Sequence, residues 1–135
     1  MEQRIGAVTT RAARQIPRQL RQLWITRFDF LAGALPGKEA PTDIDQVCEK
    51  NGHFLFLECK RPHQRIERGQ QITFDRLVGL SPKVRLLIVV GQPPDQIMQY
   101  GWWHADRTPR YELRDTDVWA VRDLVRRWRD WAEKQ

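Results

Sequence analysis

Apolar residues recur along this chain in three rhythms, and each rhythm predicts a kind of element. Between residues 9 and 24, Ala13, Ile16, Leu20 and Leu23 fall on one stripe at helical spacing. Pro17 interrupts the stripe and is best placed as the first residue of a helix, so the pattern predicts a short helix followed by a second over 17–24. Residues 66–80 predict another helix, with Ile66, Ile72, Leu77 and Leu80 inward and Ser81-Pro82 as its stop. The last helix is expected to start near Asp115-Thr116-Asp117, where capping and acidic side chains suit the positive end of the helix dipole. Val118, Val121, Val125 and Trp128 would form its core face. A second rhythm is continuous: VRLLIVVG (84–91) reads as a strand buried on both faces, ended by Pro93-Pro94. IMQYGWWH (97–104) and RYEL (110–113) predict further strands, separated by the turn-like ADRTP, while two glycines and two prolines make LAGALPGKEAP (31–41) a loop.

The third rhythm is alternation, and it is clearest in TDIDQVCEKNGHFLFLECK, residues 42–60. Asn51-Gly52 is the strongest short signal for a two-residue hairpin turn, and it lies between two strand-like runs. With that turn Lys50 faces His53, Asp45 faces Glu58 and Asp43 faces Lys60, and period-two alternation sends Asp43, Asp45, Glu58 and Lys60 to one face. Two carboxylates directly opposite, with Cβ atoms about 5 Å apart, repel each other. Protonation of one acid relieves this, and so does a divalent cation, since Mg²⁺ is typically held by one or two carboxylates plus waters and phosphate oxygens. Lys60, next on the same face, could orient a water or stabilise negative charge on a phosphate. The blander alternative is that the strand simply ends here, Glu58 and Lys60 reach solvent, and Asp43 pairs with Lys60. Taken alone, E-x-K recurs by chance in many proteins.

Size and charge narrow the choice. At 135 residues the chain has room for one compact domain, and no run approaches the roughly 20 apolar residues of a membrane span. The N-terminal stretch lacks the apolar segment of a secretory signal, which makes a soluble cytoplasmic protein the default expectation. Cys48 and Cys59 would lie about four residues apart along neighbouring strands, too far for a disulfide at about 3.3 Å per residue. They are expected to be reduced, and His53, His63 and His104 are too scattered for a zinc site. A net charge of +6, with 18 of the 23 basic residues arginine, favours a polyanionic partner, because the guanidinium fork suits bidentate phosphate contacts. Arg11, Arg14, Arg18 and Arg21 share a stripe that is either a solvated face or a DNA-facing one. The tryptophans at 102, 103, 119, 128 and 131 could stack on bases but are expected mainly in the core.

The pattern D-x(12)-E-x-K across a tight hairpin, followed by a helix bearing a Gly-Gln pair, resembles the PD-(D/E)xK, or restriction-endonuclease-like, nuclease superfamily. The thirteen-residue separation of Asp45 and Glu58 is similar to that in small Holliday-junction resolvases and virus-type replication-repair nuclease domains. The motif region covers residues 41–78, and the order helix, hairpin, helix, strand fits the family core. The resemblance implies an α/β fold with a central mixed sheet flanked by helices, occupying residues 1–135 as one domain. It also implies Asp45 and Glu58 as metal ligands, the Cys59 carbonyl as a further ligand, Lys60 as the catalytic lysine and Gln70 as the residue that helps orient water or phosphate. Gln71 is the fallback for Gln70, and Asp43 and Glu67 are accessory acids in waiting. Two features depart from the family pattern. No proline directly precedes Asp45, which leaves Asp43 as a rival, and helix 9–24 carries no glutamate.

The leading expectation is therefore a Mg²⁺- or Mn²⁺-dependent endonuclease acting on DNA, which could be structured or branched, with RNA left open. Arg11, Arg14, Arg18, Arg21, Arg61 and Arg65 would contact the nucleic acid, no membrane is involved, and symmetric cleavage would call for a homodimer. A phage or mobile-element origin goes with the resemblance. The alternatives are a catalytically inactive nucleic-acid-binding module with the same fold and, further off, a structural or protein-interaction domain.

Overall fold

The computed structural model describes residues 29–31, 33–39, 41–92 and 95–135. The chain divides into two compact units, Met1–Pro41 and Thr42–Gln135. The helices expected over 9–24, with Arg11, Arg14, Arg18 and Arg21, lie outside the described residues. In the first unit a short 3-10 turn, Asp29–Leu31, leads into bends in which Ala34 N donates to Leu31 O and Glu39 N to Pro36 O, as expected of a loop.

The second unit is an α/β layer structure. Its elements are β1 (Gln46–Lys50), β2 (His53–Lys60), α1 (Arg68–Gly79), β3 (Val84–Gln92), β4 (Gln96–Trp102), β5 (Arg114–Asp115) and α2 (Val118–Glu133). The strands form one mixed sheet in the order β1-β2-β3-β4-β5, antiparallel except for the central β2–β3 pair. α1 is the crossover that parallel pairing requires. β2 and β3 are apolar on both faces because each face is covered. Leu55, Leu87 and Val89 pack with Trp128 and Ala132 of α2, while Leu86 and Ile88 pack with Phe74 of α1, Ile66 and Trp103. At the β3–β4 connection Gly91 has φ +153, and a Cβ there would collide with the Gln96 carbonyl, so the bulge between Val90 and Gly91 requires glycine.

Helix α2 begins as its pattern predicts, with Asp117 Oδ1 accepting from Ala120 N at 2.8 Å. Its packed face is Val121, Leu124, Val125, Trp128 and Ala132, and Val118 lies half-buried outside it. The expected inward set of α1 is wrong in two members. Ile72 and Leu80 are exposed, because the helix starts at Arg68 and the residues at spacing four that meet the sheet are Phe74 and Val78. Ile66 is buried from the preceding loop.

RYEL (110–113) is not a strand. The Arg110 side chain donates to Asp75 of α1 at 3.1 Å, and Tyr111 stacks on Trp103 at 5.6 Å. Two consecutive side chains thus engage the α1 side of the sheet, which the pleat of a strand forbids. Strand β5 forms only afterwards, at Arg114–Asp115. Of the tryptophans, 103 and 128 are core, whereas Trp119 is 75% exposed and Trp131 is 44% exposed. Phe74 is fully buried and meets Trp103 edge to face at 5.3 Å, so Phe74→Ala should cost about 3–5 kcal/mol of unfolding free energy, measured by urea denaturation. A loss below about 1 kcal/mol would mean that the α1 layer does not hold the sheet.

Candidate functional site

The site is built outward from the hairpin turn. Asn51 and Gly52 have φ of 53° and 78°, the left-handed pair that a two-residue turn needs, and Gly52 N donates to Glu49 Oε2 at 2.9 Å. The register then runs from Lys50↔His53 to Gln46↔Leu57, as the turn predicts, and Asp45, directly before the ladder, lies close enough to Glu58 for its charge to act on that carboxyl. In such a hairpin alternate pairs, starting with the pair next to the turn, exchange both main-chain bonds. His53, Leu55 and Leu57 therefore turn their amides and carbonyls towards β1, and Cys59 is next in line. β1 has ended there, and the Cys59 amide donates instead to Asp45 Oδ2 at 2.7 Å. The Asp45 carboxylate replaces a main-chain acceptor at the mouth of the ladder, and the Cys59 carbonyl leaves the strand on the same open edge.

Glu58 and Lys60 do not reach solvent. They are 4% and 7% exposed, because the neighbouring strand offers Ile88 and Val90 beside them and α1 covers that face. The Lys60 ammonium lies 3.6 Å from Glu58 Oε1 and donates to Gln70 Oε1 at 2.7 Å. Gln70 precedes Phe74 by four residues, so the packing that buries the phenyl ring also turns the amide towards the sheet. Glu58 Oε2 is buried and has no hydrogen-bond partner. Burial lifts the Glu58 carboxyl from an ordinary value of 4.5 to about 7, and the Asp45 charge adds to the lift while Lys60 opposes it. The Cys59 thiol is pushed up by burial and by the same two acids, in keeping with its being free.

The remaining sequence-predicted residues are arranged less closely. Asp43 does not face Lys60. Strand alternation fails before Gln46, since Thr42 Oγ1 lies 3.3 Å from Thr73 Oγ1 of α1 and Ile44 packs on the α1-side core, leaving Asp43 exposed between them. Gln71 is spent on the Ile66 carbonyl at 3.0 Å, which leaves Gln70 as the amide at Lys60. Glu67 is the exposed residue that caps α1, with no side-chain capping bond. Arg61 and Arg65 are exposed on the loop that follows β2.

Two grooves meet at this end of the sheet, and Arg61 and Gln64 line both. One, of about 850 Å³, holds Asp45, Glu58 and Cys59 and is closed by Val118, Val121 and Arg122 of α2. Arg122 also sits over the exposed Trp119 ring at 5.5 Å. Arg122 was not among the arginines expected to meet nucleic acid, and Trp119 was expected mainly in the core. The signal was their spacing of three on a helix whose core face was already assigned.

Among the described residues no group of three or more His, Cys, Asp or Glu side chains gathers as a metal site. The donors at the hairpin mouth are two carboxylates, one with a buried oxygen that lacks any partner, beside an unpaired main-chain edge. That oxygen-only set has the donor chemistry of a hydrated Mg²⁺ or Mn²⁺ and lacks the Cys and His ligands usual for structural zinc. Among the described residues no helix is long and apolar enough to cross a membrane. Compared with protein-family models, with curated proteins and with solved structures, the chain matches none.

The Glu58 carboxyl generates a pH prediction for the metal-free protein. The folded state holds the Glu58 proton more tightly than the unfolded chain, so the group's contribution is fully present below pH 4.5 and is lost as pH rises through about 7. Chemical denaturation in EDTA across pH 4 to 8 should show that decline in the wild type and a flatter profile in Glu58→Gln. Identical profiles would mean that Glu58 titrates normally.

Proposed function

We propose that this chain is a divalent-cation-dependent nuclease with a restriction-endonuclease-like core, hydrolysing phosphodiester bonds in DNA. The observation that carries the proposal is the nearly buried Glu58 carboxylate, with an unpartnered oxygen, next to Asp45 and within 3.6 Å of Lys60. The hairpin–helix–parallel strand unit of β1, β2, α1 and β3, with Gln70 on the helix, supports the fold assignment.

In this scheme Asp45 and Glu58, with the Cys59 carbonyl, hold the cation. When bound, Mg²⁺ or Mn²⁺ supplies Lewis-acid polarisation of water and of the phosphoryl oxygen. Gln70 fixes the Lys60 ammonium through its amide oxygen, so the amine is pre-positioned for a phosphate oxygen or the attacking water. Arg61 and Arg122, lining the groove that contains both acids, neutralise the flanking phosphates. A second scheme, a catalytically silent DNA-binding module, is favoured by one observation: Asp45 Oδ2 already serves the Cys59 amide.

Labelled duplex, junction, flap and single-stranded DNAs incubated with Mg²⁺ and Mn²⁺ should include one that is cut. Asp45→Asn should remove that cleavage, while Asp43→Asn, whose side chain is exposed outside the hairpin ladder, should keep activity within about tenfold of wild type, a change of about 1.4 kcal/mol in barrier. Lys60→Met should abolish cleavage while calorimetric Mn²⁺ binding persists. Salt-dependent DNA binding with no cleavage under either metal would instead establish the silent module, and absence of both would sink the nucleic-acid assignment.

A further inference from the structure

The second groove, of about 720 Å³, opens on the α1 side of the sheet and shares Lys60 with the site just described. Its floor is Ile88, Val90, Met98 and Trp103, with Tyr111 stacked on the Trp103 indole. Arg61, Arg65 and Arg110 line it as well, with Asp115 the lone acid, its Oδ1 accepting from Gln99 Nε2 at 3.2 Å. Arg110 is fixed in place: its Nε is 3.1 Å from Asp75 Oδ1 and one terminal nitrogen donates to the Arg107 carbonyl at 2.6 Å. Trp103 Nε1 donates to the same Asp75 oxygen at 2.9 Å, so one carboxylate anchors both the aromatic floor and the cationic wall.

An apolar, aromatic floor walled by arginines suits a ligand with a flat apolar part and an anionic part. The volume lies within the roughly 300–1,000 Å³ of ligand-sized pockets, too small for a duplex but sufficient for a nucleotide. Aromatic stacking inside a cationic groove is the usual chemistry of single-strand recognition. Because Lys60 lines this groove and its ammonium lies 3.6 Å from Glu58, which lines the other, a phosphodiester at Lys60 would deliver a neighbouring nucleotide here only if its base were unpaired. We propose that this groove is a subsite for an unpaired nucleotide of the strand being cut, so that the preferred substrate carries a single-stranded segment next to the scissile bond. The inference rests on the nuclease reading for its place in the reaction, but the groove's affinity for unpaired DNA is separable from cleavage.

The test uses the full chain and a fluorescein-labelled tetrathymidylate, with a blunt hairpin duplex as the paired probe, followed by anisotropy in EDTA. Met98→Glu places a charge on the floor at a residue already 53% exposed, and Tyr111→Leu removes the stacking ring while keeping the surface apolar. Thermal melts check that each variant folds. Wild type should bind tetrathymidylate, and each folded variant should bind it about tenfold more weakly, the scale of one lost stacking contact. With metal, the cleavage ratio of a splayed-arm substrate over plain duplex should exceed one and fall towards one in both variants. Tetrathymidylate binding that survives in an uncut series would sink the nuclease assignment and keep the subsite. Unchanged binding in both folded variants, or a splayed-to-duplex ratio of one in an active enzyme, would overturn the subsite.

Discussion

A carboxylate almost removed from water beside a second carboxylate is the constraint on which the far end of this sheet depends. Glu58 is held there because β2 and β3 pair in parallel and bring Ile88 alongside, and because α1 closes over the same face. A single lysine at 3.6 Å answers part of the charge and shares itself with Gln70. Left without a cation, the site keeps a proton up to about pH 7. Burial of an ionised group without full pairing is costly. Such a group at a sheet mouth is a better sign of a function than a solvent-facing pair would have been.

Much of this was legible in the sequence because it was local. Asn51-Gly52 fixes a register, which runs as counted from Lys50↔His53 to Gln46↔Leu57 and brings Asp45 near Glu58 at its end. Gln70 was singled out by the resemblance and not by pattern, and its amide oxygen lies at the Lys60 ammonium. The buried run of β3 and the Asp117 cap also declared themselves, each by a pattern contained within its own element.

The errors arose where a long-range contact overrode local pattern. Asp43 leaves the ladder because Thr42 and Ile44 are drawn to α1, contacts about thirty residues away in sequence. RYEL loses its strand because Asp75 holds Arg110 and Trp103 holds Tyr111. Trp119 was expected in the core rather than stacked on bases, from the spacing of the tryptophans, whereas position on α2 decides burial, and Trp128 occupies the inward stripe instead. None of these contacts has a signature in a neighbouring residue.

The central claim is that Asp45 and Glu58 share a divalent cation, and the most direct measurement is anomalous scattering from crystals soaked in Mn²⁺. The account predicts an anomalous peak between the two carboxylates, within ligand distance of the Cys59 carbonyl, which disappears in Asp45→Asn crystals. Density that leaves Asp45 and Glu58 empty while Mn²⁺ occupies another site would contradict it.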